Sequence, residues 1–246
     1  MNICFYKFFI LEIIILFVNS NSKNKNINLI HFIKCGNSDA ILIQGNMHFG
    51  LIDSSFPSKI NKNINKLFDI DKNYNVLIIL KYLKKLKVKK LDFIIGTHAH
   101  IDHLGGISSI TKKYVNDKTK YFYKEYKNYK DILIKKYYLI AINSMKKKKA
   151  QLIDVTNKKI NFNIGEMNIE LLNLLLFIFM NLNKEVQNIN TFIDKSLYLD
   201  DNQNSIMTLI KFKNTKLLLA GDMTKINIKS FKTYIRNINI KITTSW

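Results

Sequence analysis

The feature that most constrains this chain is a short apolar segment followed at once by a run of metal-binding side chains. Residues 91–96 (LDFIIG) have the composition of a buried strand, and the next seven residues are Thr97-His98-Ala99-His100-Ile101-Asp102-His103. Three of the five histidines of the chain stand in this run. One histidine is usually explained by packing, but three imidazoles and a carboxylate this close together predict a metal site at the end of a strand.

The spacing within this loop predicts two neighbouring cation positions. His98 and His100 alternate and can face one ion, while Asp102 and His103 can face a second ion about 3.5 Å away, a separation typical of paired sites. Imidazole and carboxylate ligands favour zinc, and iron and manganese stay open as alternatives. The two cysteines, Cys4 and Cys35, form no cluster with metal-binding spacing, so histidine and aspartate would have to hold the metal.

The flanking sequence predicts a mixed domain of strands and helices. Alternating and apolar runs predict strands at 28–33, 40–44 and 49–52, two strands within 160–175, and a hairpin formed by 205–212 and 216–220. Apolar residues at helical spacing predict helices at 75–90, 107–114 and 129–149. The hairpin leads into Gly221-Asp222, so a second apolar strand also ends in a side chain that could bind metal.

The chain is expected to form one domain over residues 23–246, preceded by an export segment. With one proline and eight glycines in 246 residues, no linker divides it. Residues 1–22 combine a basic start, the apolar run 8–18 and small polar residues, which is typical of a secretory signal peptide that contacts the membrane during export. An uncleaved anchor is the alternative, although the run is shorter than the roughly 20 residues of a spanning helix. The protein is therefore expected to be secreted or membrane-anchored outside the cell.

The charge balance is strongly basic. Lysine and arginine total 39 against 18 acids, a net charge of +21, which makes a polyanion such as nucleic acid a plausible partner. Lysines spread over a solvated surface are the alternative explanation. The densest clusters lie at 84–90 and 146–149, where exposed helix ends are expected.

Residues 97–106, THAHIDHLGG, resemble the HxHxDH signature of the metallo-β-lactamase superfamily. Four further segments are similar to the hydrolase domain of ComEC-type DNA-uptake proteins and their free-standing secreted relatives: CGNSDAILI (35–43), GLIDSS (50–55), NQNSIMTLIKF (202–212) and LLLAGD (217–222). The resemblance covers about residues 28–222. It implies the α+β fold of that superfamily, a four-layer αββα sandwich.

The resemblance also implies a ligand set. His98 and His100 would hold the first zinc, Asp102 and His103 the second, and Asp222 would bridge them with one oxygen for each metal. Asp53 would support the loop through hydrogen bonds. From the residues alone, Asp222 could instead be a turn residue and Asp53 an Asx-turn cap.

The sequence departs from the superfamily pattern at two places. Many members supply a further histidine before the bridging aspartate, whereas 183–205 contains none and carries Asn204-Ser205, as ComEC-like members do. Relatives also carry a histidine beyond the bridging aspartate, whereas this sequence ends at Trp246 without one. We therefore expect a C-terminally truncated, incomplete second half and a weak second zinc site.

The implied activity is that of a zinc-dependent hydrolase. Two zinc ions would activate a shared water for attack on a phosphoryl or acyl centre, and Asp102 would take part in proton transfer. Phosphodiesters such as DNA are the favoured substrates. The alternatives are an acyl or lactam hydrolase acting on a small molecule, and an inactive remnant or binding module that holds one metal or none.

Overall fold

A computed structural model of the chain describes residues 12–18, 27–59, 75–126, 131–156, 158–173 and 205–222. These residues form two β-sheets and four helices. The first sheet has seven strands in the order β1 to β7, and the second has four strands in the order β11-β10-β9-β8. The predicted α+β class is confirmed.

The first sheet joins an antiparallel half to a parallel half. Its strands are β1 (Glu12–Val18), β2 (Ile27–Ile33), β3 (Ile41–Gly45), β4 (His48–Ile52), β5 (Phe93–Ile95), β6 (Lys120–Tyr123) and β7 (Gln151–Asp154). Strands β1 to β4 pair antiparallel, and β4 to β7 pair parallel. The three strands predicted before residue 60 are confirmed to within one residue. The tight turn between β3 and β4 places Asn46 at a φ of 58°, a conformation that asparagine tolerates better than most residues.

Helices connect the parallel strands. They are α1 (Val76–Lys85), α2 (Ile101–Leu104), α3 (Ile107–Tyr114) and α4 (Ile132–Lys147). Asn75 caps α1 by accepting from the amide of Leu77 at 2.9 Å, and Asp131 caps α4 by accepting from that of Leu133 at 2.6 Å. The prediction for α1 was too long at its C-terminal end, because Lys87 takes a φ of 56°, which ends a helix.

The second sheet is an antiparallel meander. Its strands are β8 (Ile160–Ile164), β9 (Met167–Asn173), β10 (Ile206–Phe212) and β11 (Thr215–Leu219). The predicted strand pair within 160–175 and the hairpin after Ser205 are both confirmed. The apolar run 171–182 lies within the described residues only as far as Asn173.

Two apolar cores separate the layers. Helices α1, α3 and α4 pack on one face of the first sheet, where Ile94 of β5 is fully buried. The other face packs against the second sheet, where Phe93 and Ile95 meet Ile169 and Ile210. This arrangement buries both faces of β5, as its continuous apolar sequence predicted. It accounts for three of the four expected layers, and the fourth layer and the completeness of the second half fall outside the described residues.

The backbone of β1 pairs along the whole of β2, from Glu12 opposite Ile33 to Val18 opposite Ile27. This strand falls inside the apolar run 8–18 that predicts a signal peptide or anchor, and that interpretation stays a prediction. Among the residues that the structure describes, no helix is both long and apolar enough to cross a membrane.

Candidate metal centre

The ends of one strand from each sheet create the site. Strand β5 ends at Ile95 and leads through Thr97 into the histidine loop, while β11 ends at Leu219 and leads to Asp222. The loop is joined to the second sheet because the amide of Ile206, the first residue of β10, donates to the carbonyl of Thr97 at 2.9 Å. The two sheets therefore present their side chains to one shared edge.

The side chains of all five predicted ligands lie close together there. Nε2 of His98 lies 3.0 Å from Nδ1 of His100, and Nε2 of His103 lies 3.6 Å from Oδ2 of Asp102. Asp222 lies between the pairs, with Oδ2 at 3.3 Å from Nε2 of His103 and 3.9 Å from Nε2 of His98. Both contacts use the same oxygen of Asp222, whereas the resemblance implied one oxygen for each metal.

These separations suit metal coordination. Ligand atoms at about 2.0–2.1 Å from a tetrahedral zinc lie roughly 3.3 Å from one another, and the four measured distances of 3.0, 3.3, 3.6 and 3.9 Å fall around that value. His98, His103 and Asp222 offer donor atoms that all lie within 4.8 Å of one another. The imidazoles of His98 and His103 are buried, and the imidazole of His100 and the carboxylate of Asp102 are half-buried. The donor set therefore fits divalent cations at this edge.

Asp53 fixes the orientation of His103. Its carboxylate accepts from the amide of Thr97 at 2.9 Å, from the hydroxyl of Thr97 at 2.7 Å and from Nδ1 of His103 at 2.7 Å. With Nδ1 donating to a carboxylate, Nε2 of His103 is left as the metal-binding nitrogen. These partners are 44 and 50 residues away in sequence, so the side chain of Asp53 supports the loop as expected and is no local Asx-turn cap.

Hydroxyl groups play the corresponding role for His98. Its Nδ1 lies 3.1 Å from Oγ1 of Thr97 and 3.3 Å from Oγ of Ser205. Neither residue was predicted to take part in the site. Ser205 belongs to the Asn204-Ser205 pair that stands where many superfamily members carry a further histidine, and this replacement was the signal that could have found it.

Close backbone packing holds the loop against the turn after β4. The amide and hydroxyl of Ser54 both donate to the carbonyl of His103, at 2.7 and 2.8 Å. The amide of Gly106 donates to the carbonyl of Ser55 at 2.8 Å, and a Cβ at Gly106 would lie 2.1 Å from the carbonyl oxygen of Ser54. Only glycine fits there, which explains the end of the THAHIDHLGG motif.

Comparison with known families agrees with this geometry. Residues 33–128 match the family model described as the metallo-beta-lactamase superfamily. This segment of the chain therefore matches a metallo-β-lactamase superfamily domain. The matched segment includes Asp53 and the whole histidine loop and stops before Asp222. No curated protein matches the sequence.

Solved structures of low identity also resemble the chain. The dizinc quorum-quenching lactonase AidC is 13% identical, with 87% of this chain and 69% of that chain covered and a TM-score of 0.44. A probable metal-dependent hydrolase from Staphylococcus aureus is 15% identical, with coverages of 83% and 61% and a TM-score of 0.41. For the flavodiiron protein from Giardia intestinalis the identity is 13%, the coverages are 78% and 32%, and the TM-score is 0.40. The chain thus spans less than two thirds of the length of the last two proteins.

The electrostatics of this site favour a cation. Burial alone would lower the pKa of His103, but the carboxylates of Asp53, Asp222 and Asp102 outweigh it and raise that pKa to about 11. The hydrogen bond with His103 lowers the pKa of Asp222, despite partial burial. Burial raises the pKa of Asp102, while His103 opposes this shift. The site therefore holds excess negative charge that a proton on His103 or a metal ion can balance.

A further carboxylate lies at the edge of this centre. A carboxylate oxygen of Asp39 lies within 4.8 Å of donor atoms of Asp53 and His103. Burial raises the pKa of Asp39 to about 6, because protein crowds its carboxyl although the residue as a whole is exposed. Asp39 lies within the ComEC-like segment 35–43, but its approach to His103 depends on how the loop after β2 folds, so the sequence alone does not predict its place in the site.

Proposed function

We propose that this chain is a metal-dependent hydrolase whose centre binds two zinc ions and cleaves phosphodiesters, DNA among them. One observation carries the proposal: three imidazoles and two carboxylates from two separate strand ends face one another at 3.0–3.9 Å, with their orientation fixed by hydrogen bonds. Bringing these side chains together without a cation costs free energy, because buried polar groups need partners. The superfamily match over 33–128 supports the same class of chemistry.

The ligands divide between two cation positions. His98 and His100 would hold one cation, Asp102 and His103 would hold the other, and Oδ2 of Asp222 would contact both. Thr97 and Ser205 hold the ring of His98, and Asp53 holds the ring of His103, so neither imidazole has to reorganise when a cation binds.

When bound, a pair of zinc ions lowers the pKa of a shared water and stabilises the negative charge that develops on the substrate. The role of this chain's residues is to bind, orient and move protons. The carboxylate of Asp102, which is half-buried, would accept the proton of the attacking water. Burial raises the pKa of Asp102, which brings it closer to the range where a carboxylate exchanges protons.

The choice of phosphodiesters rests on the ComEC-like segments at 35–43, 50–55, 202–212 and 217–222. The large lysine excess gives it less support than the sequence suggested, because the two densest lysine clusters lie away from the metal centre. Export, by a cleaved signal or as an anchored protein, completes the proposal and is supported by the apolar run before residue 19.

Metal content and turnover, measured together, test this function. We expect purified protein to hold between one and two equivalents of zinc by elemental analysis, because the second site is expected to be weak. It should hydrolyse bis(p-nitrophenyl) phosphate, with the activity lost on chelation and restored by zinc. A chromogenic lactam should be a poor substrate. Stoichiometric metal without turnover would instead support a binding module, and preferential lactam cleavage would support an acyl hydrolase. Protein without any stoichiometric transition metal contradicts the proposal.

A further inference from the structure

Lysine clusters that are separate in the sequence meet at one end of the fold. Segments 84–92, 112–120 and 146–151 contain the ends of α1, α3 and α4 and lead towards β5, β6 and β7. The amide of Leu91 donates to the carbonyl of Tyr114 at 2.8 Å, and that of Gln151 donates to the carbonyl of Thr119 at 2.9 Å. We call these three adjoining segments the basic end. It lies where the parallel strands begin, so the metal centre, at the carboxyl end of β5, lies at the opposite end.

The basic end concentrates much of the charge of the chain. Its 24 residues contain thirteen lysines and two aspartates, so it holds a formal excess of eleven out of the +21 of the whole chain. All but one of these lysines are exposed. Asp92 is already engaged by Lys90 and His48, each at 2.9 Å, so it neutralises little of the remaining charge.

Helix stability explains only part of this concentration. Cations in the last turn of a helix interact favourably with its dipole, and six of the thirteen lysines occupy the last turns of α1, α3 and α4. The other seven lie beyond the helices, in turns and at the start of β6. Lys90 pairs there with Asp92, and Lys148 donates to the carbonyl of Lys112. The remaining lysines add repulsion, and charge beyond what the helix ends use indicates an external anionic partner.

We propose that the basic end docks onto an anionic membrane surface, with the metal centre facing away from the lipid. The ends of helices that meet here expose carbonyl groups rather than the amide groups that cradle a bound phosphate. The three segments contain no arginine, the side chain best suited to bidentate phosphate contacts. A diffuse field of lysine ammonium groups suits a surface of many anionic headgroups.

An exposed apolar side chain lies at the same end. Met47, in the turn between β3 and β4, is 82% exposed. Its neighbours Asn46 and His48 line a cavity of about 580 Å³ together with Lys118 and Lys120. Met47 can therefore enter the headgroup region while the lysines contact lipid charge. A nucleic acid bound here would lie at the wrong end of the molecule to reach the metal centre, which favours the membrane.

Vesicle co-sedimentation of the full chain tests this surface. The probes are phosphatidylcholine vesicles with and without one third phosphatidylserine, and the neutral vesicles measure any binding through the apolar N-terminal run. The Lys146→Gln/Lys147→Gln variant should lose roughly tenfold or more of the partitioning onto anionic vesicles. The matched control is Lys135→Gln/Lys136→Gln, an equal charge change in the first half of the same helix, and it should bind like the parent chain.

Further readouts separate this proposal from its rivals. High salt should abolish the extra binding to anionic vesicles, since the interaction is screened. Hydrolysis and zinc content should be unaffected by the Lys146 and Lys147 changes, so failure of the proposed enzymatic function would leave this test intact. Equal binding to both vesicle types, or equal loss in both variants, overturns the proposal. So does a result in which the Lys146 and Lys147 changes reduce binding to duplex DNA while vesicle binding persists.

Discussion

The two ends of the first sheet handle charge in opposite ways. At the metal end, Asp53 and His103 are about 99% buried and fixed by short hydrogen bonds. At the basic end, lysines of a single sign remain exposed, and Asp92 is one of only two acids among them. The metal end therefore depends on the exact position of each side chain, since its atoms have defined hydrogen-bond partners. The basic end depends instead on how many charges it carries. Single substitutions should therefore have large effects at the metal end and small, cumulative effects at the basic end.

The largest effect is expected from the ligands themselves. His98→Ala/His100→Ala should reduce the bound zinc by about one equivalent and lower phosphodiester turnover by about 10³-fold or more, because the charge-stabilising cation is lost. Elemental analysis and steady-state kinetics measure both. The matched control is His48→Ala at the basic end, which should leave zinc content and turnover unchanged. Full zinc content in the double variant would show that these two histidines are not ligands.

The support for His103 should be the next most sensitive feature. Asp53→Asn keeps the size of the side chain but removes the charge that orients the imidazole, so affinity for the second zinc should fall about 10- to 100-fold. Zinc titration against a competing chelator measures this. Asp117→Asn, an exposed change at the basic end, is the control. An unchanged affinity would mean that Asp53 contributes to folding alone.

The same pair predicts a pH dependence of stability in the metal-free protein. The pKa of His103 is raised from 6.5 to about 11 in the folded state, so its interaction with Asp53 and the neighbouring carboxylates contributes fully below pH 6.5. This contribution is lost as the pH rises towards 11. We expect the denaturation midpoint of chelated protein to fall across that window, and Asp53→Asn should flatten the fall. A midpoint that rises with pH there would contradict the assignment.

The sequence predicts those features of the two ends that depend on residues close together in the chain. A strand within 91–96 and the β10–β11 hairpin follow from apolar patterning within short windows, and the structure confirms both, with the strand limited to Phe93–Ile95. The assignment of His98 and His100 to one ion, and of Asp102 and His103 to another, also follows from local spacing and stays a prediction. The end of α1 did not follow, because the left-handed conformation of Lys87 leaves no mark in a lysine-rich sequence.

Features that need two distant segments were missed. Ser205 reaches His98 across 107 positions, and Asp39 reaches His103 only through the fold of the loop after β2. The basic end is the clearest case, because its lysine clusters are separate in sequence and become one surface only when α3 and α4 end side by side. Lys148 Nζ, which donates to the carbonyl of Lys112 at 3.0 Å, marks this junction.

A substitution at a glycine of the loop tests the backbone packing at the metal end without changing a ligand. Gly106→Ala would place a Cβ 2.1 Å from the carbonyl oxygen of Ser54 and 2.6 Å from Cβ of Val76, neither of which can move freely. We expect a loss of about 1–3 kcal/mol in the free energy of unfolding, measured by denaturant titration. Ser109→Ala, in the following helix, is the control and should change it little. A neutral Gly106→Ala would mean that the turn after β4 can retreat from the loop.

The smallest effect is expected at Ser205. Its hydroxyl shares Nδ1 of His98 with that of Thr97, so Ser205→Ala leaves one of two oxygen partners in place. The loss should be about 0.5–1.5 kcal/mol, the net value of one hydrogen bond, which corresponds to an affinity decrease of roughly tenfold or less for the first zinc. Chelator competition measures it, and adding Thr97→Ser, which keeps the second hydroxyl, should cause little further loss. A decrease in zinc affinity as large as that of His98→Ala/His100→Ala would show that Ser205 contacts the metal directly. Orientation of the His98 ring would then not explain the effect of Ser205→Ala.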